Sequence, residues 1–428
     1  MNRIFEVLSV GRTSVPISGF IAPGYEGVLD AFKRNFLERR ELGAACSAFV
    51  SGRCVVDLWG GSRTLERNES HVFRERANSA AGVFWQADER TEPWHEGTMA
   101  LLMSTTKGLS ALTLAVAHSR GLFDYDAPVA DYWPEFGQHG KSKVTVAQLV
   151  AHQAGVCAID TPMTLELLSD PDALGQVLAR QRPAWEPGTR HGYHAVSLGL
   201  YQSELLRRLD PKHRTLGAFF KDEIAGKLGS GMHIGLPKEV PDAQLADIRI
   251  GRDLGAAFSL PLRLMLDAFN PASLFSRIAR NPKVRSFQKY STRPYLQIEL
   301  PSVNGVATAR AIAQLYGVFA SGGAELGVNR GTLERLEQPA LPPSLGPADA
   351  VFRIEMAYSH GFCKPFRFFP FSSSTRAYGT PGAGGSQGFA DPETELGFAY
   401  VPNHLLLGAI DDKRAAALRQ AIYSCVRK

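Results

Sequence analysis

The sequence predicts an α+β fold in which an antiparallel sheet, assembled from both ends of the chain, is flanked by helices and interrupted by a helical region. Strand-like runs around turns stand near both ends, in GAACSAFVSGRCVVDLWG (43–60) and GFADPETELGFAYVPN (388–403), while long helical patterns fill the middle. Strands at both ends with helices between imply one sheet built from the two termini. The 428 residues are 44% hydrophobic, enough to bury a large core. The expected organisation is a single unit of two interleaved lobes, with about 20–105 and 345–428 in the sheet lobe and about 106–344 in a mostly helical one.

Taken in order, Met1 to Phe20 holds a short apolar stretch broken by Glu6 and Arg12, without the long apolar run and cleavage pattern of a secreted chain. Gly43–Gly60 reads as two strands around Ser51-Gly52, a hairpin. From Ser104 to Arg120, apolar Leu109, Leu112, Leu114, Val116 and Ala117 recur over a run too long for a strand, so a buried helix is expected, stopped by Gly121. The turn-rich LFDYDAPVADYWPEF follows, then VTVAQLVAHQAG, a second helix capped by Thr145 and ending at Gly155. Helical patterns continue through SLGLYQSELLRRL, TLGAFFKDEIAGKLG and ATARAIAQLYGVFASGG. Phe352 to Tyr378 is irregular and rich in rings (Phe362, Phe366, Phe368, Phe369, Phe371), which either wall a pocket or pack onto the core. Two strands around a Pro-Glu-Thr-Glu turn and an amphipathic helix close the chain.

Composition excludes several functions. Basic residues exceed acidic ones by 47 − 42 = 5, and the one dense basic stretch, Arg277 to Arg293, reads as a solvated loop, so no nucleic-acid partner is expected. Cys46, Cys54, Cys157, Cys363 and Cys425 are an odd number without paired short spacing, which argues against a disulfide framework or a zinc site and for a reducing, cytoplasmic setting. No stretch approaches the roughly 18 apolar residues of a membrane span. The eleven histidines show no metal-binding spacing, and no phosphate-cradling loop occurs, so neither metal nor cofactor is expected. Oligomeric state is left open.

Chemistry concentrates at Ser104 and Lys107. Standing three apart at a helix start, they project from one face and can meet within hydrogen-bond reach. A serine hydroxyl needs a neighbour to take its proton, and lysine does so only when burial or nearby positive charge lowers its pKa from about 10.4. The apolar flank Met99–Met103 supplies such burial. A second serine and lysine at this spacing, Ser286 and Lys289, lie in RNPKVRSFQKYSTRP, which reads as an exposed basic loop.

Around Ser104 the chain resembles a family. STTKGLSALTLAVAHSRGLFDYDAPVADYWPEF followed by VTVAQLVAHQAGV is similar to the nucleophile region of serine β-lactamase-like proteins: class C β-lactamases, D-alanyl-D-alanine carboxypeptidases and, closest in character, family VIII carboxylesterases. The resemblance implies a β-lactamase/transpeptidase-like fold with Ser104 as nucleophile. It also implies a Y-x-N-like triplet, here Tyr193-His194-Ala195, whose tyrosine shares proton transfer with Lys107. Positive charge beside the phenol would lower its pKa for that role. Ala195 replaces the usual Asn. The third element, K-T-G or H-x-G, corresponds to Thr380-Pro381-Gly382, and the following Ala383 would pair its backbone N–H with that of Ser104 as an oxyanion hole.

The cation of that triplet is missing, which favours neutral ester substrates over penicillins and D-Ala peptides. Arg376, His194 and Asn304 are the remaining candidates for substrate contact. The reading that results is a serine carboxylesterase acting on a small-molecule ester through a Ser104 acyl-enzyme. Alternatives are an acyltransferase, a β-lactamase or D-Ala peptidase, and a binding protein on the same fold. A competing motif, Gly384-Gly385-Ser386-Gln387-Gly388, matches the G-x-S-x-G elbow of α/β-hydrolases, but a Pro-Gly-rich stretch precedes it and an apparent strand follows, where the elbow needs a strand and a helix.

Overall fold

The computed structural model of the chain describes residues 2–11, 13–64, 91–229, 231–252, 262–284, 286–408 and 410–426. Residues 65–90, within the first segment of the expected sheet lobe, lie outside these. Seven antiparallel strands form the main sheet: β1 (Asn2–Val10), β2 (Thr13–Ile21), β3 (Gly43–Val50), β4 (Arg53–Gly61), β5 (Tyr378–Pro381), β6 (Gln387–Asp391) and β7 (Leu396–Pro402), in the order β1-β2-β4-β3-β7-β6-β5. The two chain ends meet where β3 pairs with β7, Val50 opposite Leu396 and Ala44 opposite Pro402. That is the α+β sheet from both termini which the sequence predicts, and the β3–β4 hairpin turns at Ser51-Gly52, both at positive φ, as expected.

Three helices cover this sheet. Glu26–Glu38 and the closing helix Lys413–Val426 pack together, the latter against β3, while Ala309–Ala320 lies against β3, β6 and β7. Ala309–Ala320 comes close enough that a Cβ on Gly397 would stand 2.1 Å from the Gly317 nitrogen, so only glycine fits there. The ring-rich Phe352–Tyr378 segment packs inward: Phe362, Phe369 and Phe371 are buried, and Phe371 meets Phe389 of β6 at 5.2 Å. Cys46, Cys54, Cys157 and Cys363 are buried thiols. No helix among the described residues is long and apolar enough to cross a membrane.

Two elements differ from expectation. The N-terminal hairpin β1–β2 was not legible, because NRIFEVLSV puts apolar residues on both faces and so lacks strand alternation. The helix after Thr145 runs only from Val146 to Val150; the expected capping by Thr145 is present, as a capping box with Gln148. It ends before Gly155 because His152 takes a left-handed φ of 64°.

Candidate active site

Ser104 sits at the mouth of a turn fixed from three sides. Ala100–Leu101 pairs with Val306–Ala307, Leu102 N–H donates to Gly305 O at 2.9 Å, and Met103 adopts φ 49°. A left-handed non-glycine residue costs on the order of 1–3 kcal/mol and persists only where its surroundings over-determine it. Here Thr106 does so: its hydroxyl donates to Met103 O at 2.6 Å and accepts from Gly305 N–H at 2.9 Å. The turn lifts Ser104 into a partly exposed position, while the helix behind it, Thr106–Ser119, is buried from Thr106 through Ala117.

That burial encloses Lys107. Its Nζ lies 3.3 Å from Ser104 Oγ, 2.6 Å from Ala195 O and 3.1 Å from Ser302 O, with no carboxylate among the described partners. Desolvation brings the amine down to about 7, the range in which a lysine becomes a base at neutral pH. Ser302 is itself anchored, its hydroxyl accepting from Gly199 N–H at 2.7 Å.

Tyr193 closes the group. The Lys107 Nζ stands 4.7 Å from its ring centroid, and His152 and Phe352 flank the ring at 5.1 and 5.2 Å. Burial raises the phenol above its ordinary value and outweighs the hydrogen bond with Ser104 that lowers it. This reverses the expected depression, because desolvation of the buried ring is the dominant influence on the phenol. Behind Tyr193, His152 accepts from His194 N–H at 3.0 Å and packs on Tyr358 at 4.7 Å. The Tyr358 hydroxyl donates to Asp349, whose other oxygen accepts the Val351 and Phe352 N–H groups, both at 2.8 Å. Sequence reasoning missed His152, Tyr358, Asp349, Thr106 and Ser302; only His152 carried a signal, as the His of the HQAG helix end.

The third element arrives on the edge strand β5. Thr380 is buried beside the turn, its carbonyl 3.4 Å from the Thr105 hydroxyl. A Cβ on Gly382 would stand 2.5 Å from Leu102 O, so glycine is what lets this strand end reach the nucleophile turn. Among the described residues, neither Ser104 N–H nor Ala383 N–H donates to another backbone carbonyl.

Other candidates lie elsewhere. Asn304 is buried and spent on backbone, accepting from Leu300 N–H and donating to Tyr295 O and Ile298 O, so it holds the strap that carries Ser302 and does not face a substrate. Arg376 is held by both oxygens of Glu337, which removes it as a replacement cation for Thr380. His194 is fully buried, with Nδ1 2.7 Å from Gly192 O, and burial lowers it to about 4; it shapes the loop. Ser386 stands in the β5–β6 hairpin, between two strands, so the strand-to-helix context of an α/β-hydrolase elbow is absent. Ser286 and Lys289 are exposed in a one-turn helix that Ser286 caps.

Comparison with known proteins identifies the family and the fold. Residues 29–422 match the Beta-lactamase family model. The chain is 30% identical to "Esterase/beta-lactamase LipL" of Mycobacterium tuberculosis over 96% of its own length and 88% of that protein's. It superposes on a family VIII carboxylesterase with TM-score 0.80 and 31% identity, covering 96% and 99% of the two chains. A penicillin-binding protein homologue from Caulobacter crescentus gives TM-score 0.77 and 30% identity over 96% and 99%. A β-lactamase/transpeptidase-like fold, a serine in the turn that leads into a buried helix carrying a lysine 3.3 Å from it, and a family match over nearly the whole length lead to one conclusion: this chain belongs to the beta-lactamase family of serine hydrolases.

Proposed function

We propose that this protein is a serine carboxylesterase that cleaves neutral carboxylic esters through an acyl-enzyme on Ser104. The observation that carries the proposal is the Lys107 amine, 3.3 Å from Ser104 Oγ, brought to about 7 by burial and bound to two carbonyl oxygens. As a neutral amine it has two N–H groups, which Ala195 O and Ser302 O accept, and one lone pair, which is left for the Ser104 hydroxyl.

The steps follow from that arrangement. Lys107 takes the Ser104 proton as Oγ attacks the ester carbonyl. The tetrahedral oxygen is stabilised by the Ser104 and Ala383 amides. Tyr193, kept as a phenol by its raised pKa and lying beside Lys107, gives a proton to the departing alcohol. Water then resolves the acyl-enzyme; an alcohol or amine in its place makes the same site a transferase. Neutral esters are favoured because Thr380 stands where the resembled family has a cation and Arg376 is engaged by Glu337. The relative named as both esterase and beta-lactamase supports the ester reading without choosing a substrate. Buried thiols suit a reducing compartment, and we place the enzyme in the cytoplasm.

The test is intact-protein mass after brief exposure to p-nitrophenyl butyrate and, separately, to a covalent phosphonate. Wild type should gain one adduct, mapped to the peptide containing Ser104, with a nitrophenol burst. Ser104→Ala should show neither, and an adduct persisting in that variant would sink the proposal.

A further inference from the structure

We propose that Ser386 is a positioning residue whose buried hydroxyl holds the two amides of the oxyanion site in register. The inference rests on the Ser104 acyl-enzyme proposed above and assigns a role to a serine that the mechanism leaves unused.

The two amides come from segments far apart in the chain, the turn that ends in Ser104 and the β5–β6 hairpin that contains Ala383. Among the described residues, no backbone hydrogen bond joins residues 99–106 to residues 378–388. Two hydroxyls do. Ser386 Oγ donates to Leu102 O at 2.6 Å, and Thr105 Oγ1 lies 3.0 Å from Ser386 Oγ and 3.4 Å from Thr380 O. Ser386 has one proton and gives it to Leu102 O, so Thr105 donates to Ser386, and the relay leaves the turn at Thr105, passes through the hairpin at Ser386 and returns to the turn at Leu102. Both residues are almost wholly shut from water, so nothing from solvent substitutes for a lost bond.

The Leu102 carbonyl is two residues ahead of the Ser104 amide and also accepts from Thr105 N–H at 3.2 Å. The hydroxyl therefore grips the turn next to one oxyanion donor, while its own backbone closes the hairpin around the other, Gly382 N–H donating to Ser386 O at 2.7 Å. From the opposite side, Arg414 donates to Gly384 O at 3.0 Å and is itself fixed by Glu41 and Asp412. The hairpin is thus seated on a rigid base, and Ser386 sets its distance from the nucleophile turn. The same geometry excludes Ser386 as a nucleophile, since its proton is already given to a buried carbonyl.

Amides that are misplaced by a fraction of an ångström lose most where charge develops and least where a neutral ester merely binds. In the full-length protein, kinetics on p-nitrophenyl butyrate should be normalised to phosphonate-titrated sites. Ser386→Ala is expected to lower kcat ~30-fold with KM within about twofold, and to weaken inhibition by an alkyl boronic acid, whose tetrahedral adduct places an oxygen at the oxyanion position, by the same factor. A purely structural role would lower the titratable fraction and the melting temperature without separating kcat from KM. If Ser386→Ala does not fold, Thr105→Val should lower kcat about tenfold with KM unchanged, and Thr105→Ser, which keeps the hydroxyl, should restore it to within about threefold. Unchanged kcat and boronate affinity in folded Ser386→Ala, or equal losses in Thr105→Val and Thr105→Ser, would overturn the inference. Mapping the wild-type adduct keeps the two proposals apart: an adduct on a residue other than Ser104 removes the esterase mechanism whatever Ser386→Ala does, and an adduct on Ser386 removes both.

Discussion

The chain carries serine and lysine at the same spacing twice, once on a helix buried from Thr106 to Ala117 and once in an exposed single turn. At the first, Lys107 Nζ meets Ser104 Oγ and two carbonyls, and desolvation brings it to about 7. At the second, the Ser286 hydroxyl accepts from Gln288 N–H at 3.2 Å and Lys289 Nζ lies over the Tyr295 ring at 5.3 Å, so the two side chains serve separate neighbours. Spacing brings two side chains to one face, but only the enclosure around Lys107 makes an amine willing to accept a proton. Carbonyl acceptors complete the effect, because they orient the amine without restoring the charge that a carboxylate would stabilise.

The largest effect that separates the two copies should come from Lys107→Met. We expect kcat/KM to fall ~10³-fold, within the range for a lost general base, while the melting temperature holds or rises because a buried amine is replaced by an apolar side chain of similar length. A loss below about tenfold in steady-state assays would mean that Ser104 is activated by another group.

A smaller, continuous effect is the response to pH. Lys107 must be neutral to act, so wild-type kcat/KM should fall with unit slope below about 7 and level off above it. Stability carries the same signature through linkage. The folded pKa, about 7, lies below the unfolded value of about 10.4. Between them the unfolded chain binds more protons, so the penalty of burying a charged lysine is fully present below pH 7 and is relieved as pH rises through this window. The difference in unfolding free energy between wild type and Lys107→Met should therefore shrink from neutral to alkaline pH. A pH-independent difference would mean that Lys107 is not desolvated.

The smallest effect belongs to the second copy. Ser286→Ala and Lys289→Met should leave kcat/KM within about twofold; Lys289→Met should leave stability within about 0.5 kcal/mol, and Ser286→Ala should cost about 0.5–1 kcal/mol for the lost helix cap. A larger activity loss in either variant would show that the exposed turn reaches the site.

The same contrast explains what the sequence could and could not disclose. Strands β3, β4, β6 and β7 and the helix after Ser104 were legible because one period and one turn signal decide each locally. Residues whose meaning depends on a distant partner were not. His152 leaves helical geometry to meet His194 and Tyr193, and that departure shortens a helix which local pattern extends to Gly155. Asn304 looked like a substrate contact because it is polar and near a pocket-side loop, yet three backbone groups consume it. Ser386 matched a motif for one chemistry and sits in the geometry of another.

The pairing of β3 with β7, Val50 against Leu396, also governs the order in which the molecule becomes complete. Closing so long a loop is slow, since its entropy must be overcome before the contact gives anything in return. During synthesis the Ser104 turn emerges well before the hairpin that supplies Ala383 and Ser386, so a nascent chain holds its serine and lysine without the second amide. On the proposed mechanism, acyl transfer therefore awaits the docking of the last strands, which bring the second amide to Ser104.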